Sequence, residues 1–328
     1  MKVCIIGDCG GHIGCIFDGE NQNIEYIGAS VSSEYEKMDS FLRFAKSKGK
    51  EIPFYENWKD MLIKLNPDIV AVDTVFSNHA KVAQFALENN IHVYCEKPVA
   101  TEIKDLEGLR NAHDHSGARL FAMMTMRYEP WFYTAKKLIE NGAVGKILMI
   151  NAQKSYKLGS RAQFYKKRQT YGGTIPWVSI HMIDQILWLT GKKCKSVYAR
   201  HSAAENRGCG ELEMTAIIMM ELENDILCHI NTDYLRPSNA PTHGDDRIRI
   251  AGTDGVLEVR EGKVYLINNK NDGIQVELLK PPKIFDSFLH YIKSDYDPIY
   301  EFCDGIYSTY VSLKARESAD SGHVIRID

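Results

Sequence analysis

The fold is decided close to the amino terminus by residues 3–14, which read VCIIGDCGGHIG. A short apolar run from Val3 to Ile6 is followed directly by four glycines, Gly7, Gly10, Gly11 and Gly14. This order predicts a buried strand that passes through a tight glycine turn into a helix. Such a turn lets the backbone approach a pyrophosphate closely, and the N–H groups at the helix start can bind it.

The glycine spacing is irregular for a dinucleotide-binding turn. The chain has G-x-x-G-G-x-x-G where the fingerprint is G-x-G-x-x-G, because Cys9 occupies the second glycine position. The acid expected about 20 residues later is also missing. The second strand ends in residues 29–33, ASVSS, and Glu34 is the first acid after it. A nucleotide site is one interpretation of this turn, and a glycine-rich turn without a ligand is the other.

The first 125 residues alternate between apolar runs and helical patterns. Strand-like runs at 24–31, 69–72, 91–95 and 120–125 are separated by helical patterns at 34–48, 78–89 and 102–115. Nearly continuous apolar strands that alternate with helices are typical of a parallel sheet covered on both faces. We therefore predict an α/β fold that begins with a Rossmann domain, a doubly wound parallel sheet, over residues 1–126.

Residues 127–328 follow a different pattern. One more helix is predicted at 129–142, after which seven strand-like runs between 146 and 267 are joined by short turns. Short turns favour antiparallel neighbours. A helix at 177–189 interrupts the strands, and two apolar helices at 282–294 and 300–319 follow them. The pattern predicts an α+β domain with an open, mainly antiparallel sheet over residues 127–328.

Composition excludes several classes of protein. The chain has 328 residues, of which 44% are hydrophobic and 25% are charged, as in an ordinary globular protein. Its 40 Lys and Arg against 43 Asp and Glu give a net charge of −3, which offers no electrostatic basis for binding nucleic acid or an anionic membrane. No apolar stretch is long enough for a membrane span. The eight cysteines form no C-x-x-C pair and no zinc spacing, so we expect a reduced, cytoplasmic chain without a metal site.

Several motifs occur together along the chain. Glu96-Lys97-Pro98 follows the apolar strand at 91–95, and with the glycine turn it resembles the Gfo/Idh/MocA family of NAD(P)-dependent oxidoreductases. Further segments resemble the family in the same order: residues 67–72 leading to Asn78-His79, residues 126–130, Gly172-Gly173 with residues 180–184, and residues 252–255. The resemblance covers nearly the whole chain and depends on the set of motifs rather than on one of them.

The resemblance implies a dinucleotide site. The cofactor-binding residues it implies are Gly7, Gly10, Gly11, His12, Ile13, Ser30, Thr74, His79, Glu96, Lys97 and Arg127. The cofactor would be NAD or NADP. Because residues 30–33 contain neither an acid for a ribose hydroxyl nor an arginine for a 2′-phosphate, the preference between the two stays open.

The resemblance also implies two catalytic residues. Lys97 directly follows a predicted parallel strand, and ligands of open α/β sheets bind beyond the carboxyl ends of the strands. In the family this lysine lies beside the nicotinamide and the reacting hydroxyl, where its charge can stabilise a developing alkoxide. His181 matches the family's proton acceptor, a role that suits a pKa near neutrality. A surface lysine and a structural histidine are the alternatives.

The helix that carries His181 departs from the family pattern. The family usually has Asp-x-x-x-His, but Trp177 stands at the aspartate position. Trp177, His181, Asp184 and Trp188 are spaced to lie on one face of a helix. Our hypothesis is that Asp184 orients His181 instead. We expect Tyr128, Trp177, Asp184 and His243 to shape the substrate site. For His243, in the polar segment 242–247, the alternative is a solvated loop with Asp–Arg pairing.

The function that the resemblance implies is NAD(P)-dependent oxidation or reduction of a secondary alcohol. The substrate would be a sugar, a polyol or a related small polar molecule, and the enzyme would be a homodimer or homotetramer formed through the C-terminal sheet. Two alternatives stay open. The irregular turn and Trp177 favour a dinucleotide- or ligand-binding homologue with little redox activity. An NAD-dependent glycosidase that holds its cofactor tightly is the other.

Overall fold

A computed structural model describes residues 1–19 and 23–327, apart from the side chains of residues 302 and 303. The strands are β1 (Lys2–Ile6), β2 (Glu25–Ser30), β3 (Ile69–Val72), β4 (His92–Cys95), β5 (Leu120–Ala122), β6 (Ile147–Lys157), β7 (Cys194–Ser202), β8 (Thr215–Leu222), β9 (Leu227–Arg236), β10 (Gly244–Gly252), β11 (Gly255–Arg260), β12 (Lys263–Asn268), β13 (Asn271–Val276) and β14 (Ile325–Arg326). The α-helices are α1 (Asp39–Ser47), α2 (Trp58–Leu65), α3 (His79–Glu88), α4 (Ile103–Asp114), α5 (Pro130–Glu140), α6 (Arg168–Tyr171), α7 (Ile180–Thr190), α8 (Ile284–Ser294) and α9 (Phe302–Ser321).

The chain divides into two compact units. Unit 1 comprises Met1–Thr125, Ala162–Gly172 and Pro282–Thr309, and unit 2 comprises Met126–Arg161, Gly173–Pro281 and Tyr310–Asp328. The sequence analysis places a single boundary after residue 126, whereas the structure assigns two later segments to unit 1 as well. Packing of aromatic side chains accounts for both segments.

Unit 1 is built on a five-stranded parallel sheet with the order β2-β1-β3-β4-β5. All four residues of β3 are buried, as expected for a central strand covered on both faces. An isolated parallel bridge from Ala29 to Phe54 adds a single residue pair beside β2. The predicted Rossmann-like sheet is confirmed.

Aromatic clusters explain the late segments of unit 1. Phe121 of β5 lies 4.0 Å from Tyr300 and 5.6 Å from Phe288 of α8, measured between ring centroids. In the segment 162–172, the ring of Phe164 lies 5.2 Å from that of Phe76. These side chains are buried, and large aromatic surfaces contribute strongly to a core.

The helix predicted after the glycine turn is the main correction to the fold. Only a 3-10 helix of five residues, Ile13–Phe17, follows the turn. Gly14 and Gly19 lie within or just beyond it, and glycine weakens a helix through its backbone entropy. The turn is therefore not followed by the long helix whose dipole the sequence analysis expected.

Unit 2 contains a nine-stranded sheet with the order β13-β12-β11-β10-β6-β9-β8-β7-β14. Its pairs are antiparallel except β6 with β9, which are parallel. Helix α7 packs on β6 and β9. The predicted, mainly antiparallel sheet is confirmed. Among residues 1–19 and 23–327, no helix has both the length and the apolar character needed to cross a bilayer.

Candidate functional site

Strand register in unit 1 aligns three chain segments that carry site residues. Ile6 of β1 pairs with Val72 of β3, and Val72 pairs with Cys95 of β4. The residues that follow these three are Gly7, Asp73 and Glu96. Because the strands are parallel, the glycine turn, Asp73 and the Glu96-Lys97 pair all lie at the carboxyl edge of the sheet, where ligands of such sheets bind.

The glycines of the turn are required by close approach. Gly7 has φ +84°, and a Cβ on it would lie 2.4 Å from the carbonyl oxygen of Asp73. A Cβ on Gly10 would lie 2.7 Å from Asp73 Oδ1 and 2.7 Å from Glu96 Cγ. Gly11 has φ +79°, and a Cβ there would lie more than 4 Å from every residue that the structure describes, its chain neighbours aside. The backbone beside Gly11 is thus open, so the turn fits a dinucleotide despite its irregular spacing.

Asp73 holds the turn through three hydrogen bonds. Its N–H donates to the Ile6 carbonyl at 2.9 Å, and its own carbonyl accepts from the Cys9 N–H at 2.9 Å. Its Oδ1 accepts from the Gly10 N–H at 2.6 Å. The sequence analysis missed Asp73. The signal was an acid placed directly after the fully apolar strand 69–72.

Glu96 joins two other predicted cofactor residues. Its Oε2 lies 3.0 Å from Nδ1 of His12, and its Oε1 lies 3.8 Å from Nζ of Lys97. Both Glu96 and Lys97 are buried. Burial alone would raise the pKa of Glu96, but the charges of His12 and Lys97 lower it below the usual range. Glu96 is therefore the ionised carboxylate of this group.

The other acids of the turn respond differently to burial. Burial raises the pKa of Asp8 to about 6. Burial, and then the charge of Glu96, raise the pKa of Asp73 well above its ordinary value, although its hydrogen bond to Gly10 opposes this. Three acids thus surround a turn that is expected to bind an anion.

Glu36 is an acid that the search at the end of the second strand overlooked. Its side chain is buried and accepts hydrogen bonds from Ser32 N–H at 2.8 Å and from Val75 N–H at 2.9 Å. The Ser33 hydroxyl also donates to it, at 3.1 Å. The S-x-x-E spacing of residues 33–36 was the available signal, since this pattern often brings a glutamate back to the preceding turn.

Three further predicted cofactor residues support the backbone around the turn. The Ser30 hydroxyl donates to the Tyr55 carbonyl at 2.8 Å, and the Ser30 carbonyl accepts from Gly7 N–H. Both imidazole nitrogens of buried His79 contact carbonyl oxygens, Nδ1 with Pro98 at 2.8 Å and Nε2 with Thr74 at 3.0 Å. Contact of Ser30, Thr74 and His79 with a cofactor stays a prediction. Ile13 is buried within the 3-10 helix.

In unit 2 the helix around His181 begins differently from the predicted α-helix. Residues Ile175–Ser179 form a π-helical turn that leads into α7. The wider turn shifts Trp177 relative to the α-helical face that carries His181 and Asp184. All three side chains are buried. Insertions of this kind occur frequently at functional sites.

Asp184 is bound to Arg127. Arg127 Nη2 donates to Asp184 Oδ1 at 2.6 Å and its Nε donates to Oδ2 at 2.9 Å. The two side chains are 1% and 2% exposed, and the guanidinium lies 5.5 Å from the ring centroid of Trp188. The structure thus joins a predicted cofactor residue to a predicted substrate residue. Orientation of His181 by Asp184 stays a hypothesis.

A second group of polar residues lies where β6 and β10 pair. Nζ of buried Lys154 donates to Asp246 Oδ2 at 2.6 Å and lies 4.9 Å from the Tyr156 ring centroid. Exposed His243 has its ring 4.9 Å from that of Tyr156. Partial burial lowers the pKa of His243, and the charges of nearby cations, Lys154 among them, lower it further. Lys154 was not predicted as a site residue. The available signal was a lysine inside a predicted strand, among polar neighbours.

The remaining predictions for unit 2 concern the polar loop and metals. The Asp–Arg pairing considered for residues 242–247 is present, because Asp245 accepts from Arg247 at 2.8 Å. Tyr128 is half-buried. In the part of the chain that the structure describes, no group of three or more His, Cys, Asp or Glu side chains is arranged to hold a metal ion.

Comparison with known families identifies the chain. Residues 16–124 match the model of the oxidoreductase family with an NAD-binding Rossmann fold, and residues 132–258 match the GFO/IDH/MocA C-terminal domain. The chain therefore belongs to the Gfo/Idh/MocA family.

Individual proteins show the same relationship. The solved structure named "putative oxidoreductase from Thermotoga maritima" is 44% identical, with a TM-score of 0.96 and 100% coverage of both chains. A myo-inositol 2-dehydrogenase of Thermotoga maritima is 22% identical over 100% of this chain and 99% of its own. A levoglucosan dehydrogenase in complex with NADH and L-sorbose shares the fold, with a TM-score of 0.83, 17% identity, and coverage of 100% and 99%. The chain spans between 40% and 57% of the length of the first curated relatives that it matches.

We predict that the Arg127–Asp184 pair stabilises unit 2. Asp184→Asn leaves a buried guanidinium without its counter-charge, which should lower the free energy of unfolding by about 3–5 kcal/mol. The matched control is Glu140→Gln, whose carboxylate pairs with exposed Lys137 at 2.8 Å and should cost less than about 1 kcal/mol. Urea denaturation followed by tryptophan fluorescence measures both. Equal midpoints for the two variants would contradict the prediction.

Proposed function

We propose that the protein is an NAD-dependent dehydrogenase that acts on a secondary alcohol of a polyol or sugar-like molecule. The observation that carries the proposal is buried Lys97 beside Glu96, directly after β4, at the edge of the sheet that also bears the glycine turn. The activity of the myo-inositol 2-dehydrogenase relative supports the substrate class.

Lys97 would act on the oxygen of the reacting alcohol. A nicotinamide dinucleotide, when bound, supplies the redox chemistry by accepting or donating a hydride. The Nζ of Lys97 lies 3.8 Å from Glu96 Oε1 and is almost wholly buried, so its position is fixed before a substrate arrives. A fixed cation in a place of low polarity stabilises a developing alkoxide more than a mobile, solvated one would.

His181 would take the hydroxyl proton during oxidation and return it during reduction. It is buried on α7, one turn before Asp184, and an imidazole is suited to proton transfer near neutral pH. Arg127 neutralises the charge of the Asp184 carboxylate, so Asp184 is present on α7 as one partner of an ion pair. Trp177 replaces the usual aspartate, and we propose that it contributes apolar surface to the substrate site rather than a proton path.

The carboxylate of Glu36 favours NAD over NADP. Glu36 is buried close to the end of β2, with its oxygens held by Ser32, Ser33 and Val75. A 2′-phosphate would add charge beside this carboxylate, and like charges repel strongly where water is excluded. We propose that Glu36 excludes NADP and that the backbone of Gly10 and Gly11 holds the dinucleotide.

The sheet of unit 2 supplies a surface for self-association. Met149 pairs with Leu227 across β6 and β9, and Met219 and Ile217 continue the same face on β8. These four side chains are exposed by 47% to 58%. Contiguous apolar surface of this kind marks an interaction site, and we propose that a second copy of the chain covers it.

The first prediction concerns catalysis. With NAD+ and a panel of polyols and sugars, the wild-type protein should form NADH. The absorbance of NADH measures the rate. His181→Asn should lower kcat by about 10²–10⁴-fold, the usual contribution of a general base, and remove the pH dependence that the histidine causes. Lys97→Met should also lower kcat strongly. The matched controls are Lys104→Met, on α4, and His115→Asn, at the C-terminal cap of α4; both residues are exposed, and both variants should retain the wild-type rate. A folded protein that binds NADH but oxidises no alcohol would favour the homologue with little redox activity, and sugar release without net NADH formation would favour the glycosidase.

The second prediction concerns assembly. Met219→Glu places a charge in the apolar face and should shift the protein from a dimer or larger assembly to a monomer, because an unpaired charge is costly to bury. Ile63→Glu, at a residue of α2 that is 65% exposed, should leave the mass unchanged. Size-exclusion chromatography with light scattering measures the mass. A monomeric wild-type protein would rule out the proposed interface.

A further inference from the structure

The protein's own carboxylate already contacts the turn that should bind an anion. Asp73 Oδ1 accepts the Gly10 N–H at 2.6 Å, and Asp73 is fully buried. Its second oxygen, Oδ2, has no hydrogen-bond partner among the described residues. Residues 16–124 match the model of an NAD-binding Rossmann fold, and the turn just before them lies at the carboxyl edge of the sheet, where ligands of such sheets bind. The two negatively charged phosphates of a dinucleotide bound there would approach the same backbone.

The charges around Asp73 make two negative groups at this turn unfavourable. Burial raises the pKa of Asp73 most, and the charges of Glu96 and then Asp8 raise it further. The basic side chains of His12 and Lys97 both pair with Glu96. The 3-10 helix Ile13–Phe17 is too short to supply the dipole of a long helix. Removal of one negative charge would therefore favour the binding of a dinucleotide.

We propose that Asp73 is a positioning residue that carries a proton in the dinucleotide complex, so that cofactor binding takes up one proton from solvent. The proton goes to Oδ2, while Oδ1 continues to accept the Gly10 N–H and holds the turn in place. The inference depends on cofactor binding alone, not on the alcohol oxidation that we propose above.

The surroundings favour this protonation. Burial and the charge of Glu96 raise the pKa of Asp73 in the free protein, and nearby phosphates would raise it further. Because the pKa is higher in the complex than in the free protein, the complex binds more protons between the two values. The dissociation constant of NADH should therefore rise about tenfold for each pH unit within that window.

Several other groups near Asp73 can exchange protons and must be distinguished from it. Asp8 and Cys9 lie in the turn itself, and His12 follows it. The charge of Glu36 acts on Cys9, as that of Asp73 does. The remaining groups lie on or beside β4 and α3: His79, Cys95, Glu96 and Lys97. Asp8 is the strongest competitor, because burial raises its pKa to about 6. Asp8→Asn is therefore the control variant.

The test is isothermal titration calorimetry of NADH binding between pH 6 and 9, in HEPES and in Tris at equal ionic strength. If a proton is taken up, the heat differs between the buffers in proportion to their ionisation enthalpies. We expect an uptake that approaches one proton for the wild type and for Asp8→Asn. Asp73→Asn keeps the acceptor for Gly10 but cannot ionise, so it should bind NADH with no proton uptake and an affinity independent of pH.

Other results would overturn the inference. Equal heats in both buffers over the whole pH range for the wild type would do so, as would an unchanged uptake in Asp73→Asn. If Asp73→Asn does not fold, the wild type and Asp8→Asn decide, because loss of uptake in Asp8→Asn assigns the proton to Asp8 and overturns the inference. Proton-linked NADH binding without alcohol oxidation would leave this inference standing and would overturn only the proposed function. No NADH binding by folded wild-type protein would overturn both.

Discussion

The hydrogen bond from the Gly10 N–H to the Asp73 carboxylate, 2.6 Å long, is the interaction on which the rest of the site depends. It joins the turn after β1 to the end of β3, and the register of the parallel sheet places Glu96 and Lys97 at the same level on β4. Gly7 and Gly10 must lack side chains because Asp73 and Glu96 occupy the space where their Cβ atoms would lie. A strongly acidic turn thus remains ordered before any ligand binds.

Unit 2 also contains buried charged side chains, and there they form an ion pair. Arg127 and Asp184 are both buried, and two hydrogen bonds between them satisfy the polar atoms that burial would otherwise leave costly. The same pair fixes α7, the helix that carries His181. In unit 2, therefore, a buried ion pair holds the helix that bears a proposed catalytic residue.

Sequence patterns predicted the architecture more completely than the site. Both sheets were predicted correctly because their signals are local in the sequence. These signals are apolar strands such as Ile69–Val72 and the short turns after residue 146. Glu96 and Lys97 were found because they adjoin a strand. Asp73 was missed because its role depends on the neighbouring strand's turn, which is distant in sequence. The prediction of a helix after the glycine turn was wrong because only a short 3-10 helix forms there. The prediction of α-helical geometry at Trp177 was wrong because a π-helical turn forms there.

The central claim is that the turn around Gly11 binds the dinucleotide although no long helix follows it. Titration of the protein with NADH, followed by nicotinamide fluorescence, tests this most directly when wild type is compared with Gly11→Asp. The matched control is Gly49→Asp, because Gly49 has φ +74° and, like Gly11, open space at the Cβ position, but lies just after α1. The account predicts that Gly11→Asp abolishes binding while Gly49→Asp binds as the wild type does. Equal affinity for NADH in all three proteins would contradict it.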